Sequence, residues 1–215
     1  MTHVWAAVPV KEFTGAKQRL SGMLSPVERE VLAATMLEDV LAALAGADRL
    51  AGILVNTVDP RAAALAERYG ARVVAEDPRN VHTPAVMGMA RLIERENLGA
   101  LLTLPGDIPG ATAWEVNAVV SACLDAPSFT IAPAHDELGS NAVLCNPPGV
   151  IPLRFGDDSF FPHLITARRH GLEPTIVRVP GIGLDIDNPV DLRAFARSPV
   201  SARTRTLALL HRFGF

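Results

Sequence analysis

Residues 4–10 read VWAAVPV, an uninterrupted apolar run that ends at the first lysine, Lys11. Side chains alternate between the two faces of a strand, so a run that is apolar at every position belongs to a strand covered on both sides, as in the middle of a parallel sheet. The segment after it supports that reading. Ser25 stands where a helix cap is wanted, Pro26 suits the first helical position, and Glu28 completes a capping box ahead of REVLAATMLEDVLAAL at 29–44. The alternation then repeats, with a strand at 51–57, a helix at 60–70 closed by Gly70, a strand at 71–76, a helix at 85–97, a strand at 99–105 and a helix at 113–124. A strand pair at 128–134 and 141–147, a helix at 159–171, a strand at 174–180 and a helix at 189–197 follow. This succession predicts an α/β fold, one Rossmann-like domain over 1–215 with a mixed, mostly parallel sheet, in which 198–215 form a C-terminal helical extension.

Composition narrows the classes of function. At 215 residues, 49% of them hydrophobic, the chain can bury one sizeable core and is short for two. The formal net charge is −3 and basic residues are scattered except between Lys11 and Arg19, so no footprint for nucleic acid is present. No apolar run reaches the roughly 18 residues of a membrane helix, and the first residues lack a basic leader pattern. Neither a membrane nor a nucleic acid is an expected partner. Cys123 and Cys145 lie in apolar stretches without CxxC spacing, which predicts buried reduced thiols and a cytoplasmic protein.

Ligands of open α/β sheets bind beyond the carboxyl ends of the strands, and four such ends carry unusual polar residues. The first, VPVKEFTGAKQRL, gathers Lys11, Lys17 and Arg19 around Gly15, a set suited to a triphosphate or, equally, to a solvated basic turn. The second, LTLPGDIPG at 102–110, holds a lone acid, Asp107. The third, GIGLDIDNPVDL, places Asp185 and Asp187 two apart, so that in an extended segment both face one side. Like charges that close repel unless a cation intervenes, which makes Asp107, Asp185 and Asp187 candidates for a hard divalent ion. Helix capping is the competing reading, Asp187 ahead of Pro189 and Asp107 ahead of the helix after Thr112. The fourth comprises GSN at 139–141 and RFGDDSF at 154–160, where Ser140, Gly156 and Ser159 offer hydroxyl and backbone donors to an anion; Ser159 as a plain cap is the alternative. His82 and His135 read as solvated loop residues.

In this order and spacing, VPVKEFTGAKQRLSGMLSPVERE, LPGDIP, GSNAVLCNPP, RFGDDSFFPHLITARRHGL and PGIGLDIDNPVDL resemble the phospholactate guanylyltransferase family of coenzyme F420 biosynthesis, over about residues 4–195. The resemblance implies a nucleotidyltransferase fold and an enzyme that condenses GTP with a small phosphorylated acid (2-phospho-L-lactate, phosphoenolpyruvate or 3-phosphoglycerate) and releases pyrophosphate. It implies Mg2+ on Asp107, Asp185 and Asp187, with Lys17 beside them in catalysis. Lys11, Lys17, Arg19 and Asn80 fall on the GTP side, and Ser140, Gly156 and Ser159 on the phospho-acid side. The chain departs from the family pattern at DPRNVHTPAVMGMA, where Asn80 stands for a Gly-Leu-Asn stretch near the base, at GSN in place of GTN, and at DIPGAT in place of DLPLL. A homodimer is open under this reading. The alternatives are a sugar-phosphate or molybdopterin-type nucleotidyltransferase and a nucleotide-binding regulator without catalysis.

Overall fold

In the computed structural model, which describes residues 2–75, 82–156 and 158–215, the continuously apolar segment is indeed the centre of a sheet. The strands are β1 (Val4–Pro9), β2 (Gly52–Asn56), β3 (Arg72–Val74), β4 (Ala100–Thr103), β5 (Ser128–Pro133), β6 (Ser140–Asn146) and β7 (Thr175–Ile176). They form one sheet in the order β3-β2-β1-β4-β6-β5-β7. Neighbours run parallel except β6, which is antiparallel to both β4 and β5. Between them lie α1 (Pro26–Ala45), α2 (Pro60–Arg68), α3 (His82–Arg95), α4 (Ala113–Ser121), α5 (Phe160–Arg169), α6 (Pro189–Arg197) and α7 (Arg205–Arg212).

The pleat of β1 divides the core. Val4, Ala6 and Val8 pack with α1, α2 and α4 on one face, while Ala7 joins α3 and α5 on the other. Both faces are therefore covered, as the apolar run requires. The α1 cap forms as its sequence predicts, Ser25 Oγ accepting from Glu28 N–H and Glu28 Oε2 accepting from Ser25 N–H. Residues 198–215 carry the short helix α7, which docks on α1. Leu209 and Leu210 of α7 pack with Leu32 and Met36 on the outer side of α1, and Phe195 of α6 joins them. Thr204 caps α7 by accepting from Leu207 N–H, and Asp39 of α1 accepts from the backbone N–H groups of Arg205 and Thr206 and from Thr206 Oγ1, so the interior of one helix serves the first turn of another.

The expected strands at 71–76 and 174–180 are shorter than their apolar content suggests, and both lie at the sheet edges, where they pair on one side only. Cys145 is buried and Cys123 half-buried, and neither is in a disulfide. Among the described residues no helix is long and apolar enough to cross a membrane.

The reversed strand decides what the rim of the sheet contains. Because β6 runs against β4, its first residues, Ser140 and Asn141, arrive at the edge where β1 and β4 finish. Three chain segments of different origin thus meet at one rim.

Candidate active site

A cleft of about 950 Å³ opens at that rim and is bordered by Lys11, Lys17, Arg19, Asp107, Ser140, Gly156, Ser159, Asp185 and Asp187. All the site residues read from the sequence meet there except Asn80, which lies outside the described residues.

The basic segment is held from below. Phe13 and Leu20 are buried, and Asp59, the cap of α2, accepts from Phe13 N–H at 2.8 Å. Arg29 of α1 donates to the Ala16 and Leu24 carbonyls. With both ends tied, Lys17 takes a left-handed backbone conformation (φ 52°) and its side chain turns inward. Its Nζ donates to Asp107 Oδ2 at 2.7 Å and to Asp187 Oδ1 at 2.8 Å. Arg19 stands further out, 4.0 Å from the other Asp187 oxygen, and Lys11 is exposed at the mouth.

Neither acid is a helix cap. Thr112 with Glu115 caps α4, and Asn188 with Asp191 caps α6, which leaves Asp107 and Asp187 to the cleft. The two acid-bearing loops are stitched by a hydrogen bond from Ile186 N–H to the Asp107 carbonyl. Glu115 adds a second stitch. One of its oxygens closes the α4 cap on Thr112 N–H, and the other accepts from Gly181 N–H at 2.6 Å, at the head of the 181–187 loop. Gly181 has to be glycine, since a Cβ there would meet the Gly110 carbonyl.

Electrostatically Asp187 and Asp185 differ. Burial opposes the charge of Asp187, but the Lys17 ammonium outweighs it and holds the carboxyl below the usual range. Burial likewise opposes the Lys17 charge, and the two acids more than offset it, so Lys17 stays protonated above its ordinary range. For Asp185 burial prevails, assisted by the Asp107 and Asp187 charges, and its pKa is raised despite a 3.1 Å hydrogen bond from Asn141 Nδ2. Among the described residues no three acid, histidine or cysteine side chains close on one point as metal ligands. Two carboxylates do converge, on the Lys17 ammonium, and hard oxygens in that number suit a magnesium ion that draws its other ligands from phosphates and water.

On the opposite wall the expected anion site is built differently from the sequence reading. The N–H groups of Ser159 and Phe160, expected to face an anion at the start of α5, both donate to the Leu138 carbonyl at 2.9 Å. Nor does the Ser159 side chain cap the helix. Its Oγ accepts from Ser140 N–H at 3.0 Å and lies 3.1 Å from Ser140 Oγ. Ser140 Oγ also meets His163 Nδ1 at 2.9 Å, and His163 Nε2 accepts from Arg154 N–H at 3.1 Å.

His163 was not read from the sequence, although its position four residues after Ser159 puts both on one helix face. His82, expected to be solvated, is mostly enclosed. It packs edge-on against Phe155, its Nε2 is buried without a partner, and burial lowers its pKa to about 4.

The family model described as "Guanylyl transferase CofC like" matches residues 4–199. A phosphoenolpyruvate guanylyltransferase of Rubrobacter xylanophilus is 38% identical over 94% of this chain and 98% of its own. A 3-phospho-D-glycerate guanylyltransferase of Colwellia psychrerythraea is 31% identical over 93% and 95%. Among solved structures, a 4-diphosphocytidyl-2C-methyl-D-erythritol synthase of Anaerococcus prevotii superposes with a TM-score of 0.61 at 12% identity, covering 98% and 99% of the two chains. A cytidylyltransferase of Leptospira borgpetersenii gives 0.58 at 14% identity, covering 99% and 93%. At such identities these two establish the fold alone.

Proposed function

Since the chain belongs to the guanylyl transferase CofC-like family and is a guanylyltransferase, we propose that it joins the GMP moiety of GTP to the phosphate of a small phosphorylated carboxylic acid in coenzyme F420 biosynthesis. Phosphoenolpyruvate is the first candidate acid, because relatives bearing that name reach 38% identity against 33% for those named for 3-phosphoglycerate. The observation that carries the reading is the Lys17 ammonium clasped by Asp107 and Asp187 between a basic loop and a wall of hydroxyls.

The chemistry asks little of a general base. A phosphate monoester has a second pKa near ~6 and is largely dianionic at neutral pH, so its oxygen can attack the α-phosphorus directly as pyrophosphate leaves. Burial keeps His82 and His163 neutral, their pKa values pushed down to about 4, in keeping with a site that neither gives nor takes a proton there. The difficulty is charge, a dianion approaching a triphosphate. Lys17 has three N–H donors, of which the two acids take two, leaving the third for a phosphate oxygen. Lys11 and Arg19 supply further positive charge from the same loop. Asp107 and Asp187 would hold Mg2+, whose contribution when bound is to neutralise charge building on the phosphates. Ser140 and Gly156 form the acceptor side, and Ser159 supports it through Ser140, since its own hydroxyl and N–H are engaged within the protein.

Pyrophosphate release tests this directly, with GTP and each of the three acids varied, and with magnesium titrated against a chelator. Turnover with GTP and one acid, abolished by chelation, is the expected result; turnover only with a sugar phosphate would overturn the assignment of the acceptor.

A further inference from the structure

Ser140 Oγ sits in a hydrogen-bond arrangement whose direction can be worked out. A backbone N–H only donates, so the bond from Arg154 N–H fixes His163 Nε2 as an acceptor without hydrogen. In the neutral ring the hydrogen then resides on Nδ1, the atom 2.9 Å from Ser140 Oγ, and His163 donates to the serine. Ser159 Oγ, already an acceptor from Ser140 N–H, directs its own hydrogen at the same oxygen. A hydroxyl has two lone pairs and one hydrogen. With both lone pairs engaged from behind, the Ser140 hydrogen is left for the cleft that Ser140 borders.

We propose that His163 is a positioning residue that fixes Ser140 as a hydrogen-bond donor to an anionic oxygen of the phosphorylated acid. The inference rests on the assignment of Ser140 to the acceptor side made above. It also separates this Ser–His pair from a nucleophile and its base, because the ring nitrogen facing the hydroxyl carries a hydrogen and cannot accept another. The surroundings hold the ring in place. Phe155 packs edge-on at 5.2 Å and Phe129 lies at 6.2 Å, His163 is 1% exposed, and burial lowers its pKa to about 4, so the single-hydrogen form persists at neutral pH.

Steady-state kinetics with phosphoenolpyruvate and 3-phosphoglycerate as probes, beside melting curves, tests the proposal. His163→Phe is expected to raise the acceptor KM by about tenfold or more, the scale of a hydrogen bond to a charged group, while the GTP KM stays within a few fold. His163→Asn, whose amide N–H stands near the Nδ1 position, should recover most of that loss. His163→Gln, whose amide reaches instead toward Arg154, should not. In a double-mutant cycle, adding His163→Phe to Ser140→Ala should do no further harm to the acceptor KM, since the histidine acts through the serine.

An unchanged acceptor KM in a folded His163→Phe or His163→Gln protein overturns the proposal, as does additivity in the cycle. Should His163→Phe fail to fold, the contrast between the Asn and Gln variants decides. If Ser140→Ala raises the acceptor KM and the histidine variants do not, only the role of His163 is lost. If Ser140→Ala leaves it unchanged, the assignment of the acceptor side fails and takes this inference with it.

Discussion

Asp107, Asp185 and Asp187 have one chemistry and three environments, and their substitution should separate them. Asp107→Asn and Asp187→Asn each remove a charge that Lys17 contacts directly. Each is expected to lower the rate of pyrophosphate release by at least ~100-fold with the melting temperature nearly unchanged, as loss of a ligand or charge-stabilising group commonly does. Asp185 is turned to Asn141 and burial favours its neutral form, so Asp185→Asn should be the mildest of the three in the same assay. The sequence brought all three to one site but could not rank them, since the ranking depends on Lys17 and Asn141, which lie far away in the chain. The buried histidine gives a second expectation. His163 holds a native pKa of about 4 against 6.5 in the unfolded chain. The unfolded state therefore binds the extra proton first, and stability is full above pH 6.5 and falls as the pH drops toward 4, by about 3 kcal/mol across the whole window. Denaturant titrations between pH 7 and 4.5 should show a shallower loss for His163→Gln than for the parent protein, and parallel slopes would contradict the buried neutral ring.

Helix starts were the most legible elements, because a cap is written within four residues. Ser25 with Glu28 and Pro26 announced α1, and the structure closes that box. The start of α5 misled for the same local reason. Its backbone donors are taken by the Leu138 carbonyl, some twenty residues upstream, a contact no local pattern encodes. Ser159 serves Ser140 instead, so a loss of stability in Ser159→Ala would come from an orphaned Ser140 N–H rather than a lost cap. The C-terminal helix illustrates the converse. A helix was expected within 198–215, but its anchor, Asp39, lies inside α1 and reads as an ordinary helical acid. Asp39→Ala removes four hydrogen bonds from α7, one of them from the Arg205 guanidinium, and leaves two backbone donors unserved, at a cost of about 2–3 kcal/mol. Hydrogen exchange should speed up first across 205–212, while protection of β1 and β4 persists; uniform loss of protection would show instead that α7 is integral to the main core.

At the scale of the whole molecule, strand order was only partly legible. Continuous apolar runs identified the inner strands, whereas the reversal of β6 depends on which neighbours it finds, and that reversal carries Ser140 to the rim. The cleft is thus an assembly of loops whose mutual placement rests on few joints, one of them the contact of Glu115 with Gly181 beneath the loop that bears Asp185 and Asp187. Gly181→Ala, which forces a methyl against the Gly110 carbonyl, is expected to lower turnover by pushing that loop outward and to lower the melting temperature as well, and wild-type kinetics in a folded variant would show that the joint is dispensable. The same carboxylate has a consequence for how this chain can diverge. Glu115 closes a helix cap with one oxygen and grips Gly181 with the other, so Asp is too short to reach both and Gln surrenders one acceptor. Drift at positions 110, 115 and 181 is therefore constrained as a group, and descendants of this sequence should keep or exchange the three together while the surface of α4 varies freely.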